Sequence, residues 1–425
     1  MLIEFSVSNY RSFRERQSFS MVAAPRLQKK ENVFDPHVTG ERLPGLLKVA
    51  AIYGPNASGK SNLLLALDVV QRILAASPVA GASALPIEPF RFDKDLESQP
   101  SCFELNFIAG KQRYQFELAV TSDRIVEERL IAFPAGKEAL LYARRHTERG
   151  DLYTFGESLE GGSVLHEAWR NLTGPRTTFI SQAVANSSED YTQLRSPFYW
   201  LRGGLMIVNS GMSGYAESTQ NFVKRFPHVS SELSSFLNEL DVPITSVKVE
   251  GVSDELSSFA NLASKKNMGL LRGLGTESKS DRTKTTLTHQ TSLGEADFDF
   301  SEESEGTKGL IGFWMMWKLL RFEGDHYRCV VIDELDSSLH PEIVANLVRK
   351  HQLANVCTQL IFTTHDTHLM DTKLLRRDQF WVTERDASGA TQLRSIHEFE
   401  GRESEDVEKR YFEGRYRGLP HLRQS

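Results

Sequence analysis

The chain has 425 residues, 40% of them hydrophobic and 25% charged, with a formal net charge of −6. These are ordinary globular values, and the acidic balance excludes a surface coated in basic residues for nucleic acid, although not a local patch. Three cysteines, Cys102, Cys329 and Cys357, lack metal spacing and suit a reducing cytosol, and no run of about eighteen apolar residues is present to span a membrane.

The opening Met1-Leu2-Ile3-Glu4 alternates like a strand rather than a secretory leader, with Ile3, Phe5 and Val7 expected on one face. Leu47–Tyr53 is a short apolar run of buried-strand type, and Asn62–Ile73 is rich in helix formers. Between them stand Gly54-Pro55-Asn56-Ala57-Ser58-Gly59-Lys60-Ser61, a complete G-x-x-x-x-G-K-[ST] loop, with Asn62 following. Glycine lets backbone wrap closely round phosphate oxygens, and the following helix aims free N–H groups at the anion. Lys60 is placed for the β- and γ-phosphates and the Ser61 hydroxyl for Mg²⁺. The loop implies a nucleoside triphosphate, read here as ATP.

Further along, Phe103, Leu105 and Phe107 and then Phe116, Leu118 and Val120 read as a hairpin around Ala109-Gly110-Lys111. Asp93-Lys94-Asp95 reads as a solvated turn, and Gln99, Gln112 and Gln115 as strand-edge polar residues. Arg144-Arg145-His146 and Arg376-Arg377 read as solvated charge runs. Helical pieces are expected near Tyr215–Phe226 and Ser230–Leu240, and an exposed loop or hairpin tip over Ser278–Thr288. The Trp314/Met315/Met316/Trp317 cluster has core spacing on a helix. Strands are expected near 328–333, 359–363 and 379–383. The organisation is therefore 1–130, a β-rich N-terminal lobe with the phosphate loop; 131–300, an insertion for assembly or partner binding; and 301–425, a C-terminal α/β lobe.

Arg328–Ile332 leads into Asp333 and Glu334. Asp333 at the strand tip suits Mg²⁺, and Glu334 can polarise the water that attacks the γ-phosphate. A phosphate loop and a carboxylate strand so far apart in sequence must meet in one sheet, with the middle segment inserted between them.

Leu335-Asp336-Ser337-Ser338-Leu339-His340-Pro341 follows directly. Gln359-Leu360-Ile361-Phe362-Thr363-Thr364-His365-Asp366 is a second strand ending in a histidine, and Glu303-Ser304-Glu305-Gly306-Thr307-Lys308 leads into an apolar helix expected to begin near Thr307. In this order the motifs resemble an ABC-type ATPase: phosphate loop, signature, Asp-Glu strand, D-loop and switch histidine. The opening Ile3–Phe13, the signature, F-T-T-H-D and the closing Tyr411–Pro420 resemble the AAA15/OLD-like ATPases of bacterial phage-defence systems, such as those of abortive-infection, Septu-like and PARIS-like operons. The signature departs from the pattern, since Glu305 stands where a second glycine is usual.

The resemblance implies an α/β ABC-type ATPase head (P-loop NTPase) with a β-rich N-terminal lobe and a mixed, mostly helical insertion. It implies a homodimer, or a higher oligomer, with shared sites. Ser304 and Gly306 of one copy meet the phosphate loop of the other, His365 contacts the γ-phosphate from its own subunit, and Asp336 of the D-loop joins the nucleotide-binding residues. It further implies a cytoplasmic sensor ATPase controlling a separate effector protein, a nuclease or toxin, in response to a phage trigger. The alternative is a DNA-maintenance ATPase that clamps DNA. Against that stands the lack of a coiled-coil run: Leu63, Leu67, Val70 and Leu74 repeat for only a few turns. The stretch after His365 is too short for a Toprim nuclease domain.

Overall fold

The computed structural model describes residues 1–76, 84–209, 211–251, 283–321, 328–403 and 405–419. The chain forms two compact units. One comprises Met1–Asn209, Leu320–Asp336 and Val344–Ser425; the other comprises Ser210–Leu319 and Ser337–Ile343. This division differs from the three stretches expected from sequence, because residues 131–209 fold with the first unit.

The first unit contains a seven-stranded antiparallel sheet in the spatial order Gly150–Phe155, Ala139–Thr147, Ile125–Ala132, Gln112–Val120, Ser101–Ala109, Leu2–Ser8, Gln17–Ser20. Its central hairpin turns at Gly110 and Lys111, whose φ values of 56° and 63° make the two-residue turn that matches strand twist. The first strand departs from strict alternation. A bulge lies between Leu2 and Glu4, so Leu2 rather than Ile3 joins Phe5 and Val7 in the main core. Ile3 packs instead against a smaller cluster of Met1, Phe34, Leu46 and Ile108.

A six-stranded sheet carries the motifs, in the order Leu205–Val208, Arg328–Ile332, Thr358–Thr363, Val49–Tyr53, Phe380–Arg385, Thr391–Ser395. All neighbours are parallel except the last pair. Val49–Tyr53 and Thr358–Thr363 are buried throughout, as parallel strands covered on both faces require. The phosphate-loop strand and the Asp-Glu strand do share one sheet, with Thr358–Thr363 between them. Helix Lys60–Ala75 buries Leu63, Leu64, Leu67, Val70, Ile73 and Leu74 in a cluster that also takes Phe5, Phe107 and Phe116 from the antiparallel sheet and Ala50, Ile52 and Val331 from the parallel one. The phosphate-loop helix is thus gripped from both sides, and truncating Leu64, with no exposed surface, to Ala would cost about 2–5 kcal/mol.

The second unit packs helices Ala216–Arg225, Ser230–Glu239 and Glu305–Leu320 with an antiparallel sheet of Ile244–Gly251, Thr283–Thr291 and Gly294–Asp299. Trp314 and Met316 are core residues, and the ring of Phe236 lies 6.5 Å from Phe313 and 6.2 Å from Trp317. Of the loop expected over Ser278–Thr288, residues 278–282 lie outside the described residues. Residues 283–288 are ladder, because Thr285 and Leu287 alternate inward as a strand demands.

Of the two charge runs, the first is solvated only in part, Arg145 being exposed and Arg144 buried, and neither arginine of the second is solvated. Arg144 is buried on the Asp151 carboxylate and the carbonyls of Thr177 and Gly174. Arg376 pairs with Asp378, and Arg377 donates to the Ile396 and Phe399 carbonyls. Each guanidinium fork finds enough fixed acceptors to replace water, which sequence spacing does not reveal.

Candidate nucleotide site

The phosphate loop leaves strand Val49–Tyr53 and enters helix Lys60–Ala75 through Gly59, its N-cap. Gly54, Ala57 and Gly59 have φ values of 147°, 62° and 104°. Only glycine adopts the first and last cheaply. Lys60 is buried and its Nζ donates to Gly54 O at 2.8 Å and Pro55 O at 3.2 Å. Burial lowers its pKa, and the opposing pull comes from Asp333, Glu334 and Asp336. One buried ammonium therefore sits in the field of all three carboxylates, which the sheet brings to its side.

Strand Arg328–Ile332 delivers Asp333, whose N–H donates to Val208 O at 2.8 Å. The turn there requires a left-handed residue, and Glu334 takes it at φ 52°. The neighbouring strand ends at Thr363, whose hydroxyl reaches both the Asp333 carboxylate and the Glu334 N–H. Asp336 Oδ2 accepts the His365 N–H at 3.3 Å, whereas Asp336 Oδ1 is buried with no hydrogen-bond partner among the described residues. His365 is exposed. His340 accepts the Glu342 N–H through Nδ1 at 3.2 Å and so caps helix Pro341–Leu353.

Ser304 and Gly306 belong to the second unit. The helix starts at Glu305, two residues before the expected start near Thr307, because the Ser304 hydroxyl accepts the Thr307 N–H at 3.1 Å and caps it. Glu305 in place of a glycine is accommodated by exposure, its side chain pairing with Lys308 at 3.2 Å. Gly306 cannot be replaced as easily: a Cβ there would lie 2.7 Å from the Ser338 carbonyl of the D-loop. Gln115 bonds Glu104 and Glu117 at 3.1 and 2.7 Å along the antiparallel sheet, in keeping with a strand-surface residue.

Two further parts of the quoted motifs, to which the sequence reading gave no role of their own, stand beside these residues. Thr363 is one. The closing segment is another: Tyr411 lies with its ring 6.5 Å from that of Tyr53, its hydroxyl donates to Gly418 O at 2.6 Å, and Glu408 accepts from Thr367 beside the histidine loop at 2.7 Å. Pro420 of that motif lies outside the described residues.

Close-approach glycines, a buried ammonium, the Ser61 hydroxyl at the helix start, the Asp333 carboxylate and the unpartnered Asp336 oxygen form a donor set that fits a nucleoside triphosphate with Mg²⁺. Lys60 and the loop N–H groups would hold the phosphates, and Ser61 and Asp333 the metal.

The fold is that of a P-loop ATPase of the ABC/AAA type. Residues 49–371 match the family described as "AAA domain, putative AbiEii toxin, Type IV TA system", and the chain belongs to that family. No curated protein matches the sequence. Among solved structures the chain is similar to an Smc head bound to the C-winged helix domain of ScpA, at 12% identity and TM-score 0.43, covering 93% of this chain and 97% of that one. It is also similar to the SMC head domain from Thermotoga maritima, at 14% identity and TM-score 0.39, covering 93% and 98%. A third is the Pyrococcus furiosus Smc head with an extended coiled coil bound to the C-terminal domain of ScpA, at 11% identity and TM-score 0.40, covering 93% and 97%. No helix among the described residues is long and apolar enough to cross a membrane.

Proposed function

We propose that this chain is an ATP-hydrolysing switch whose two nucleotide sites form between two copies, and which controls a separate effector, a nuclease or toxin, in defence against phage. The observation that carries the ATPase reading is Lys60, buried in the loop that leaves strand Val49–Tyr53, with Asp333 and Glu334 following strand Arg328–Ile332 of the same parallel sheet, one strand away. In this reading Lys60 and the helix N-terminus bind the phosphates, and Ser61 and Asp333 hold Mg²⁺, which neutralises developing charge when bound. Glu334 orients the attacking water and takes its proton, and His365 contacts the γ-phosphate end. Ser304 and the Gly306 backbone reach in from the second copy, since one chain carries one signature and one phosphate loop. ATP then acts as the ligand that shifts the dimer population, and a partner resting on the dimer feels its loss.

The test is ATP binding and turnover by the full chain. The wild type should bind and hydrolyse ATP, and Lys60→Ala should bind none detectably; equal affinity in the two by calorimetry would refute the phosphate-loop reading. The family's description names a toxin, which favours a second reading in which this chain itself arrests growth. Expression alone separates the two. A controller neither degrades nucleic acid nor stops growth, and protection needs both its partner gene and Glu334; growth arrest by the chain alone supports the second reading.

A further inference from the structure

Each terminal glycine of the phosphate loop is met from behind by a threonine. A Cβ on Gly54 would lie 2.3 Å from Thr383 Oγ1, and one on Gly59 would lie 2.0 Å from Thr391 Oγ1. The glycines are therefore demanded by the rear of the loop as well as by the phosphate side.

Thr383 lies on the strand that pairs in parallel with the loop's own strand, where Val382 is opposite Tyr53. Its hydroxyl donates to Tyr53 O at 3.2 Å and shares a hydrogen bond with Ser58 Oγ at 2.5 Å. Thr391 opens the next strand, opposite Arg385. Its hydroxyl donates to Ser58 O at 2.8 Å and shares a bond of 2.7 Å with Ser12 Oγ, and its N–H donates to Ser12 O at 2.7 Å. Ser12 Oγ in turn accepts Asn62 Nδ2 at 2.7 Å. Thr383, Thr391 and Ser58 are at most 1% exposed, so no solvent competes for these bonds.

We propose that Thr383 and Thr391 are positioning residues that hold the phosphate loop in its anion-binding shape through Ser58, with Ser12 and Asn62 completing the brace. The inference rests on the nucleotide-binding reading. Three left-handed positions in so short a loop leave it free to relax once its side-chain anchors are gone, and unpartnered buried groups favour that relaxation. If the binding shape becomes a minor fraction of the free protein, apparent affinity falls by that fraction while bound ATP still reacts normally. Valine keeps the shape of threonine and removes the hydroxyl; serine keeps the hydroxyl.

The experiment measures MgATP affinity by calorimetry, the turnover number at saturating ATP, and the melting temperature without nucleotide, all on the full chain. Thr383→Val and Thr391→Val should each weaken ATP binding about tenfold, with turnover at saturation within about twofold, and Thr383→Ser and Thr391→Ser should restore affinity. Valine variants that bind ATP like the wild type, or serine variants as weak as the valine ones, would overturn the proposal. Should Thr383→Val fail to fold, the Thr391 pair decides it alone by the same comparison. A wild type that binds no ATP would instead fail the nucleotide reading itself, a result distinct from variants matching a wild type that does bind.

Discussion

The Thr363 hydroxyl donates to Asp333 Oδ1 at 2.5 Å, and Thr363 Oγ1 accepts the Glu334 N–H at 2.8 Å. One side chain at the tip of one strand thus orients both carboxylate residues at the tip of its neighbour, while Thr363 O receives Leu335 N–H at 3.1 Å. The left-handed backbone at Glu334 costs about 1–3 kcal/mol in general, and these bonds are what hold it there.

Thr363→Val removes both hydroxyl bonds and leaves the strand buried. Turnover should fall about tenfold as the Asp-Glu tip loses its anchor, with ATP affinity changed by less than about threefold, because Lys60 and its loop are untouched. Steady-state kinetics read the split. An unchanged turnover number would separate Thr363 from the chemistry.

His351 supplies a pH dependence of stability. It is wholly buried in helix Pro341–Leu353, and burial lowers its pKa from 6.5 to about 4. Below 6.5 the unfolded chain takes up a proton that the folded chain refuses until about 4, so stability falls as pH drops through that window and is independent of this group above it. The loss is on the order of 3 kcal/mol across the window. His351→Leu should flatten the melting temperature between pH 6.5 and 4 relative to the wild type; parallel curves for the two would contradict the assignment.

Much of the parallel sheet was legible because its signals are local. The apolar Leu47–Tyr53 run, the loop spacing after it and the run ending at Asp333 are each contained in a few consecutive residues; the strands form over Val49–Tyr53 and Arg328–Ile332, while Leu47 pairs instead with Val33. What was illegible depends on distant partners. Leu205–Val208 is only four residues long, and nothing in it announces that it will extend the sheet beside Arg328–Ile332. Arg376 and Arg377 look like a solvated pair until the acceptors around them are known. Ser58 and Thr383 are 325 positions apart, so no periodicity or motif joins them. The phosphate-facing half of the candidate site is a motif; its supporting half is a product of folding.

Ser304→Arg should leave each chain folded and able to bind ATP, since the site of substitution is exposed and lies outside the phosphate loop. It removes the cap on the Thr307 N–H, at about 1 kcal/mol, and places bulk where the second copy would dock. Turnover should be lost. Mixed with Lys60→Ala, part of it should return, because one composite site then carries both lesions and the other none. Full activity of Ser304→Arg alone would sink the shared-site account.

The most direct measurement is the solution mass of Glu334→Gln with and without ATP. The amide cannot take a proton from water, so ATP should persist, and the shared sites should hold two chains together. Glu334→Gln should sediment as a monomer without nucleotide and as a dimer at saturating MgATP, and should return to an ATP-bound monomer when Ser304→Arg is added. Glu334→Gln that binds ATP fully and still sediments as a monomer would contradict shared nucleotide sites.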